Sequence, residues 1–177
     1  MGRILPPAAV TPLLGVLYRE PAVLERALAA LAPVLGRPAL TSPVWPFTDT
    51  AYYDAEMGPG LLRRFVSFAQ ADPGLLAAWK LATNALEDEL AAGKPGRVIN
   101  LDPGYLDGSK LVLATTKNLA HRLYLAQGIY AELTLTYRSG QWQKLPWTFP
   151  DYGGGRYFSF FGVVRERHLL SRRPPDR

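Results

Sequence analysis

The pattern of apolar and polar residues predicts a strand, a helix and a second strand at the start of the chain. Residues 12–18 form an apolar run that is too short for a helix, which predicts a strand buried on both faces. Apolar residues then recur at helical spacing between Pro21, a favoured first helical residue, and Gly36. Residues 39–48 combine aromatic and β-branched residues with two prolines, which is typical of an edge strand.

A second unit of the same kind follows. Residues 61–70 alternate as a half-buried strand does, and Asp72 and Pro73 can begin a helix. Residues 97–101 predict another strand, closed by a turn at residues 102–104. The order strand, helix, strand, strand, helix, strand is that of the ferredoxin-like arrangement, an antiparallel sheet with both helices on one face.

The next segment is ambiguous, and a hairpin comes after it. Residues 109–118 fit a short helix capped by Ser109 and a strand equally well, and we favour the helix. Residues 121–125 and 129–137 alternate clearly on either side of Gly128, which predicts a β-hairpin.

A tight turn and a helix complete the chain. Ser139 and Gly140 predict a turn that sets Tyr137 opposite Trp142 as an aromatic cross-strand pair. A last helix is expected over residues 156–171.

These elements together predict an α+β fold in a single domain over residues 1–177. We expect a two-layer sandwich with a ferredoxin-like βαββαβ core over residues 9–106. Residues 107–171 extend the sheet by an antiparallel hairpin or meander and add the final helix, which makes six or seven strands in all. Residues 172–177 are expected to form a disordered basic tail.

The composition restricts the chemistry that the chain can perform. The absence of cysteine excludes disulfides, thiolate zinc sites and a cysteine nucleophile. Only His121 and His168 supply imidazole groups, so no metal site is predicted. The residues indicate no particular cofactor.

Charge and hydropathy bear on partners and location. Of the net charge of +5, the segment from Arg156 onward carries +4, so contact with nucleic acid is confined to the basic tail, for which a solvated terminus is the simpler interpretation. Pro6, Pro7 and Pro12 interrupt the apolar start of the chain, which does not resemble a signal peptide. No run of eighteen apolar residues exists, and we expect a cytoplasmic protein without a membrane span.

Strand alternation predicts a polar sheet face. If the helices cover the apolar face, polar side chains from three separate strands project from the opposite one, and these are Asn100, Asp102, Arg122, Tyr124, Tyr130 and Glu132. Such a mixture of charges, amide and phenol suits a pocket for a polar ligand. The alternative is an ordinary solvated sheet face.

Several further residues are candidates for chemistry. Lys80 lies beside the apolar stripe of its helix with Asn84 and Glu87, where a solvated flank is the alternative. Lys117 and His121 lie close in sequence to Arg122 and suit an anionic substrate, although His121 shares the parity of apolar residues and a core role is the alternative. Glu56 lies in an aromatic and acidic loop. We name His121, Glu56 and Asp102 as candidate acid or base groups.

The familiar phosphate-binding and hydrolase motifs are absent, including the GxxxxGK[ST] loop, GxSxG, GxGxxG and HExxH. Six phrases of the sequence nevertheless resemble a bacterial family, domain of unknown function 4416, over about residues 10–170. These phrases are YYDAEMG, RVINLDPGYL, SKLVLATTKN, HRLYL, GIYAELTL and PWTFPDY. Some members of that family carry the name GTP-binding protein, so the resemblance implies GTP binding only by a mode without the phosphate loop, and it implies no catalytic residue.

Two functional hypotheses follow. The first is an enzyme or binding domain for a phosphate- or carboxylate-bearing small molecule or nucleotide. Its expected contacts are Lys80, Asn100, Lys117, Arg122, Tyr130 and Glu132, with the acid or base candidates named above. The second is a non-catalytic module that binds RNA or a protein through the sheet and the basic tail, a mode that weakens steeply with salt for nucleic acid.

Overall fold

The computed structural model describes residues 2–172, which form an α+β fold around one antiparallel sheet of nine strands. The strands are β1 (Thr11–Tyr18), β2 (Leu40–Thr41), β3 (Trp45–Pro46), β4 (Leu62–Ser67), β5 (Ile99–Leu106), β6 (Lys110–Thr115), β7 (Arg122–Ala126), β8 (Ile129–Arg138) and β9 (Gln141–Lys144). The helices are α1 (Pro21–Leu35), α2 (Asp54–Met57), α3 (Leu76–Ala91), α4 (Pro150–Gly153) and α5 (Phe158–Leu170). No helix within the described range is long and apolar enough to cross a membrane.

The strand order is β2-β4-β1-β5-β6-β8-β7, with β3 also paired to β4 and β9 to β8. Strand β1 lies between β4 and β5, and all eight of its residues are buried. This confirms the prediction of a strand buried on both faces. Helix α1 begins at Pro21 and ends before Gly36, as the sequence predicts.

Helices cover both faces of the sheet. Helices α1 and α3 pack on one face, against residues such as Leu14 of β1 and Leu101 of β5. Helix α5 packs on the other face, where Phe161 lies among Leu13 and Phe65. The prediction of two layers is therefore wrong at this end of the sheet, because α5 forms a third layer.

Three predictions of local structure are also wrong. Residues 110–115 form strand β6 and not a helix, because successive side chains enter opposite helical layers, Val112 and Ala114 on the side of α1 and α3 and Leu111 and Leu113 on the side of α5. Residues 102–104 do not turn, since β5 continues through Pro103 to Leu106. The sheet has nine strands and not six or seven, because the proline-rich edge segment forms two short strands and β6 is a strand and not a helix.

The predicted hairpin and aromatic pair are present. Gln127 and Gly128 connect β7 to β8 with positive φ angles of 52° and 77°. Tyr137 pairs with Trp142 across β8 and β9, and their ring centroids are 5.2 Å apart. Of the predicted basic tail, residues 173–177 lie outside the described residues.

Candidate functional site

The sheet opens between β5 and β6. Strand β5 pairs with β1 along its whole length, but it pairs with β6 only from Gly104 to Leu106. Strand β6 meanwhile stays paired with β8 as far as Thr115. The two strands therefore diverge towards one end, and within the described part of the chain residues 99–103 of β5 have no strand partner on that side.

Two side chains from helix α3 reach the open edge of β5. Lys80 donates a hydrogen bond of 3.1 Å from Nζ to the carbonyl of Leu101, and Glu87 accepts one from the Leu101 N–H. Lys80 and Glu87 lie seven residues apart, so they share a helix face. Pro103 comes two residues later and has no N–H to present on the same side of the strand. The hydrogen-bonding groups of Leu101 are thus satisfied by the Lys80 ammonium and the Glu87 carboxylate in place of a neighbouring strand, and Pro103 has no N–H that needs a partner.

A cavity of about 320 Å³ lies at this opening. It is bounded by the diverging strands, the loop that follows β3, the loop that follows β6 and the start of α4. Six of the nine site residues proposed from sequence line it, and these are Lys80, Asn100, Asp102, Lys117, Arg122 and Glu132. The polar residues predicted from strand alternation and Lys80 of helix α3 thus line the same cavity.

The other three site residues proposed from sequence lie outside the cavity lining. Tyr130 packs edge-on against Tyr124 on the outer part of the sheet, with ring centroids 5.5 Å apart. His121 stacks on Trp147 and its Nε2 lies 3.1 Å from Glu132 Oε2. Glu56 lies behind Arg97, which does line the cavity.

A chain of hydrogen bonds holds the β5 side of the cavity. Arg97 binds both oxygens of Glu56, at 2.7 and 2.8 Å, and donates to Asn100 Oδ1 at 2.9 Å. Asn100 Nδ2 in turn donates to Asp102 Oδ2 at 2.7 Å. The hydrogen bonds from Arg97 hold the pKa of the Glu56 carboxyl below its usual range. Glu56 therefore does not line the cavity, but it positions the side chain of Arg97, which does.

The β7–β8 side is held by a buried ion pair. Arg122 Nε and Nη2 both lie 2.7 Å from Glu132 Oε2, and Arg122 Nη1 donates to Thr115 Oγ1 and to the carbonyl of Lys117. The side chains of Arg122 and Glu132 are only 4% and 2% exposed. Arg122 therefore connects the ends of β6 and β8 to the loop that carries Lys117.

Arg63 is the residue that sequence reasoning missed. It lies on β4, its side chain is 3% exposed, and Nη2 donates to Asp151 Oδ2 at 2.7 Å. Its Nε and Nη1 have no hydrogen-bond partner among the residues described, and Nη1 lies 3.9 Å from Asp102 Oδ2. A charged residue sharing a strand face with Phe65 was the available signal, since a buried charge needs a partner.

The acidic groups in and beside the cavity differ in exposure and in pKa. Burial raises the pKa of Asp151 despite the attraction of Arg63, and burial likewise raises the pKa of Glu87 despite that of Lys80. Asp102 is the more open carboxylate, with 24% of its side chain exposed against 6% for Asp151 and 2% for Glu132. Asp102 is consequently the most solvent-accessible of these three carboxylates.

The hydroxyl of Tyr152 likewise has no hydrogen-bond partner within residues 2–172. Tyr152 lines the cavity, is 2% exposed, and lies with its ring 5.4 Å from the Arg63 guanidinium carbon. Gly15 on β1 provides the space for it, because a Cβ there would lie 2.6 Å from the Tyr152 hydroxyl. Burial raises the pKa of Tyr152, so it is a hydrogen-bond donor at neutral pH.

The lining carries more positive than negative side chains. Arg63, Lys80, Arg97, Lys117 and Arg122 stand against three carboxylates, Asp102, Glu132 and Asp151. Among residues 2–172 no group of three or more histidine or carboxylate side chains is arranged to hold a metal ion. The arrangement suits recognition of an anion by guanidinium, ammonium and phenol groups.

Comparison with known proteins finds one family. The family described as Domain of unknown function (DUF4416) matches residues 8–168, which is most of the chain and includes every residue of the cavity lining. No curated protein and no solved structure matches the chain.

Proposed function

The chain belongs to this family of unknown function, and from the chemistry of the cavity we propose that it binds a small polar molecule bearing a phosphate or carboxylate group. Nucleotides, GTP among them, fall within this class. A volume near 320 Å³ is at the lower end of the range typical of small-molecule sites.

The observation that carries the proposal is the state of Arg63. A buried donor without a partner costs about 1–3 kcal/mol, more when it is charged, and Arg63, a residue of the cavity lining, has two such nitrogen atoms among the described residues. An anionic oxygen is the partner that a guanidinium binds best. Lys80, Lys117 and the hydroxyl of Tyr152 add further donors to the same wall.

Asp102 is the carboxylate we assign to contact the ligand. One of its oxygens, Oδ2, accepts from Asn100, while Oδ1 lies 3.7 Å from Lys80 Nζ and accepts no hydrogen bond from any residue that the structure describes. That oxygen is available for a hydroxyl or amine group of the ligand, or for proton transfer. The ligand is thus expected to carry hydrogen-bond donors in addition to its anionic group.

The proposal is tested by removing one positive and one negative side chain from the cavity and comparing the effects on binding. A thermal-shift screen of phosphates, carboxylates and nucleotides is repeated on Lys117→Ala, Asp102→Asn and, as a control, Arg26→Ala, which removes an exposed charge on α1. For an anionic ligand, Lys117→Ala weakens binding, Asp102→Asn leaves the binding of acetate, which has no hydrogen-bond donor, intact or strengthens it, and Arg26→Ala has no effect. If Lys117→Ala strengthens binding and Asp102→Asn abolishes it, the ligand is a cation and the proposal is wrong.

We also infer a ferredoxin-like unit within the sheet. The adjacency β2-β4-β1-β5, antiparallel at each step, supports it, as does the packing of α1 and α3 on one face. In this view β6, β7, β8 and β9 extend the ferredoxin-like unit beyond β5, and the cavity lies where β6 diverges from β5.

A further inference from the structure

Three aromatic rings form a continuous row along the cavity. The ring centroids of Phe47 and Tyr53 are 5.9 Å apart, and those of Tyr53 and Tyr52 are 5.0 Å apart, both in edge-to-face geometry. A cation caps each end, since the Arg63 guanidinium carbon lies 5.2 Å from the Phe47 centroid and Lys117 Nζ lies 5.4 Å from that of Tyr52. We call Phe47, Tyr53 and Tyr52 the aromatic ladder, and all of its members line the cavity.

The ladder runs from the interior to the mouth of the cavity. Phe47 is 8% exposed, Tyr53 is half-buried and Tyr52 is 65% exposed. Its inner end is fixed, because Phe47 and Tyr53 pack in a small cluster with Leu17 and Met57. Its outer end is fixed by a hydrogen bond of 3.2 Å between Lys117 Nζ and the Tyr52 hydroxyl.

This arrangement leaves aromatic surface uncovered beside the cationic groups. Tyr52 presents a largely exposed ring, and Phe149, which also lines the cavity, is 49% exposed. Exposed aromatic rings that line one concave site mark binding surfaces more often than isolated surface residues do. A ring packed there gains contact with a ladder that is already held in place, so little ordering opposes the binding.

We infer that the ligand of this cavity is an anion joined to a planar aromatic or heteroaromatic ring. The ring packs on the aromatic ladder near Tyr52 and Tyr53, and the anionic group is bound by Arg63, Lys117 and their neighbours. This inference rests on the proposed function, because the anion site gives the ladder its role. It adds that the ring contributes affinity of its own.

Matched pairs of anions with and without a ring test the inference. Phenyl phosphate is compared with methyl phosphate, and benzoate with acetate, by titration calorimetry on the full chain. The compound with the ring is expected to bind about tenfold more tightly in each pair, the contribution of one aromatic contact together with the apolar area it covers.

Three substitutions at Tyr52 and one control assign that preference to the ladder. Tyr52→Ala and Tyr52→Leu are expected to remove most of the tenfold difference between phenyl phosphate and methyl phosphate, and Tyr52→Phe is expected to keep that difference. The control is Tyr124→Ala, which removes a residue of β7 that is 63% exposed and lies outside the cavity lining. It should change the affinity for neither phenyl phosphate nor methyl phosphate.

The outcomes separate this inference from the proposed function. Equal binding of phenyl phosphate and methyl phosphate overturns the inference and leaves the proposed function standing. Binding of neither compound, nor of benzoate or acetate, overturns both. A ring preference that survives Tyr52→Ala also overturns the inference, because the ring then packs elsewhere.

Discussion

Lys80 donates a hydrogen bond from helix α3 to the backbone carbonyl of Leu101, at the edge of β5 where a neighbouring strand would otherwise lie. The ammonium thus performs two tasks, since the same Nζ lies 3.7 Å from the Asp102 carboxylate in the cavity. The gap in the sheet that creates the cavity is stabilised by a side chain that also faces it.

The first prediction concerns this hydrogen bond. Lys80→Met keeps most of the side-chain volume but leaves the Leu101 carbonyl without its partner. We expect a loss of about 2 kcal/mol in the free energy of unfolding, the size of a buried hydrogen bond to a charged group. Urea denaturation measures it, with Lys94→Met, at an exposed position after α3, as the control. Equal stability of the two variants would show that water replaces the ammonium at Leu101.

The second prediction concerns the buried pair of Arg122 and Glu132. Arg122→Ala leaves the Glu132 carboxylate buried without its guanidinium, so we expect a loss of about 3–5 kcal/mol in the free energy of unfolding. The double variant Arg122→Met with Glu132→Gln removes both charges and should recover most of that loss. Chemical denaturation of the two variants and the wild type decides between them. If the double variant is no more stable than Arg122→Ala, the buried charge of Glu132 is not the cause of the loss.

The sequence predicts what depends on neighbouring residues along the chain. Strand β1, helix α1 and the hairpin of β7 and β8 follow from spacing and turn residues alone, and each is present. Strand β6 was one of two alternatives, because four consecutive apolar residues, Leu111–Ala114, fit either a buried helix or a buried strand, and the preference for a helix was wrong. Only its place between two helical layers decides, and that is a property of the whole sheet.

The same distinction applies to the site. Asn100, Asp102, Arg122 and Glu132 were identified because strand parity is local. Arg63 was missed because its burial depends on an ion pair with Asp151, which lies 88 residues away in the sequence. Parity shows that Arg63 faces the same way as Phe65, but only the packed structure shows that the guanidinium is buried with free N–H groups.

The third prediction concerns pH. Burial lowers the pKa of His168 and the positive charge of Arg172 lowers it further, while Thr11 Oγ1 and Gln70 Nε2 lie 3.0 and 3.1 Å from Nδ1. Because the folded pKa is below the unfolded value of about 6.5, the unfolded state binds a proton first as pH falls. The contribution of the neutral His168 to the free energy of unfolding is therefore complete above about pH 6.5, and it decreases as the pH falls from about 6.5 to the folded pKa.

Unfolding experiments between pH 8 and pH 5 measure this dependence. The wild type should lose stability below about pH 6.5, and His168→Gln should lose less over the same interval, because it has no proton to bind. The remaining histidine, His121, is present in both proteins and does not affect their difference. Parallel curves for the two proteins would show that His168 titrates alike in the folded and unfolded states.

The last prediction concerns Gly15 and Tyr152. Gly15→Ala places a Cβ 2.6 Å from the Tyr152 hydroxyl and 3.3 Å from Arg63 Nη1, so we expect a loss of about 1–3 kcal/mol in stability from overpacking. Tyr152→Phe removes the hydroxyl, which has no hydrogen-bond partner in the described structure, and should leave stability unchanged or raised. Combining the two substitutions should reduce the penalty of Gly15→Ala, and a double-mutant cycle measures that coupling.

Binding should respond to Tyr152→Phe in the opposite direction. If the hydroxyl is kept in the cavity to donate to the anion, Tyr152→Phe weakens phosphate or carboxylate binding by about fivefold or more, the value of one hydrogen bond, while the folded protein becomes no less stable. A stable variant with weaker binding identifies the hydroxyl as part of the site. A variant that binds as the wild type does shows that the hydroxyl contributes nothing to recognition, and Gly15 then serves only to admit the tyrosine ring beside Arg63.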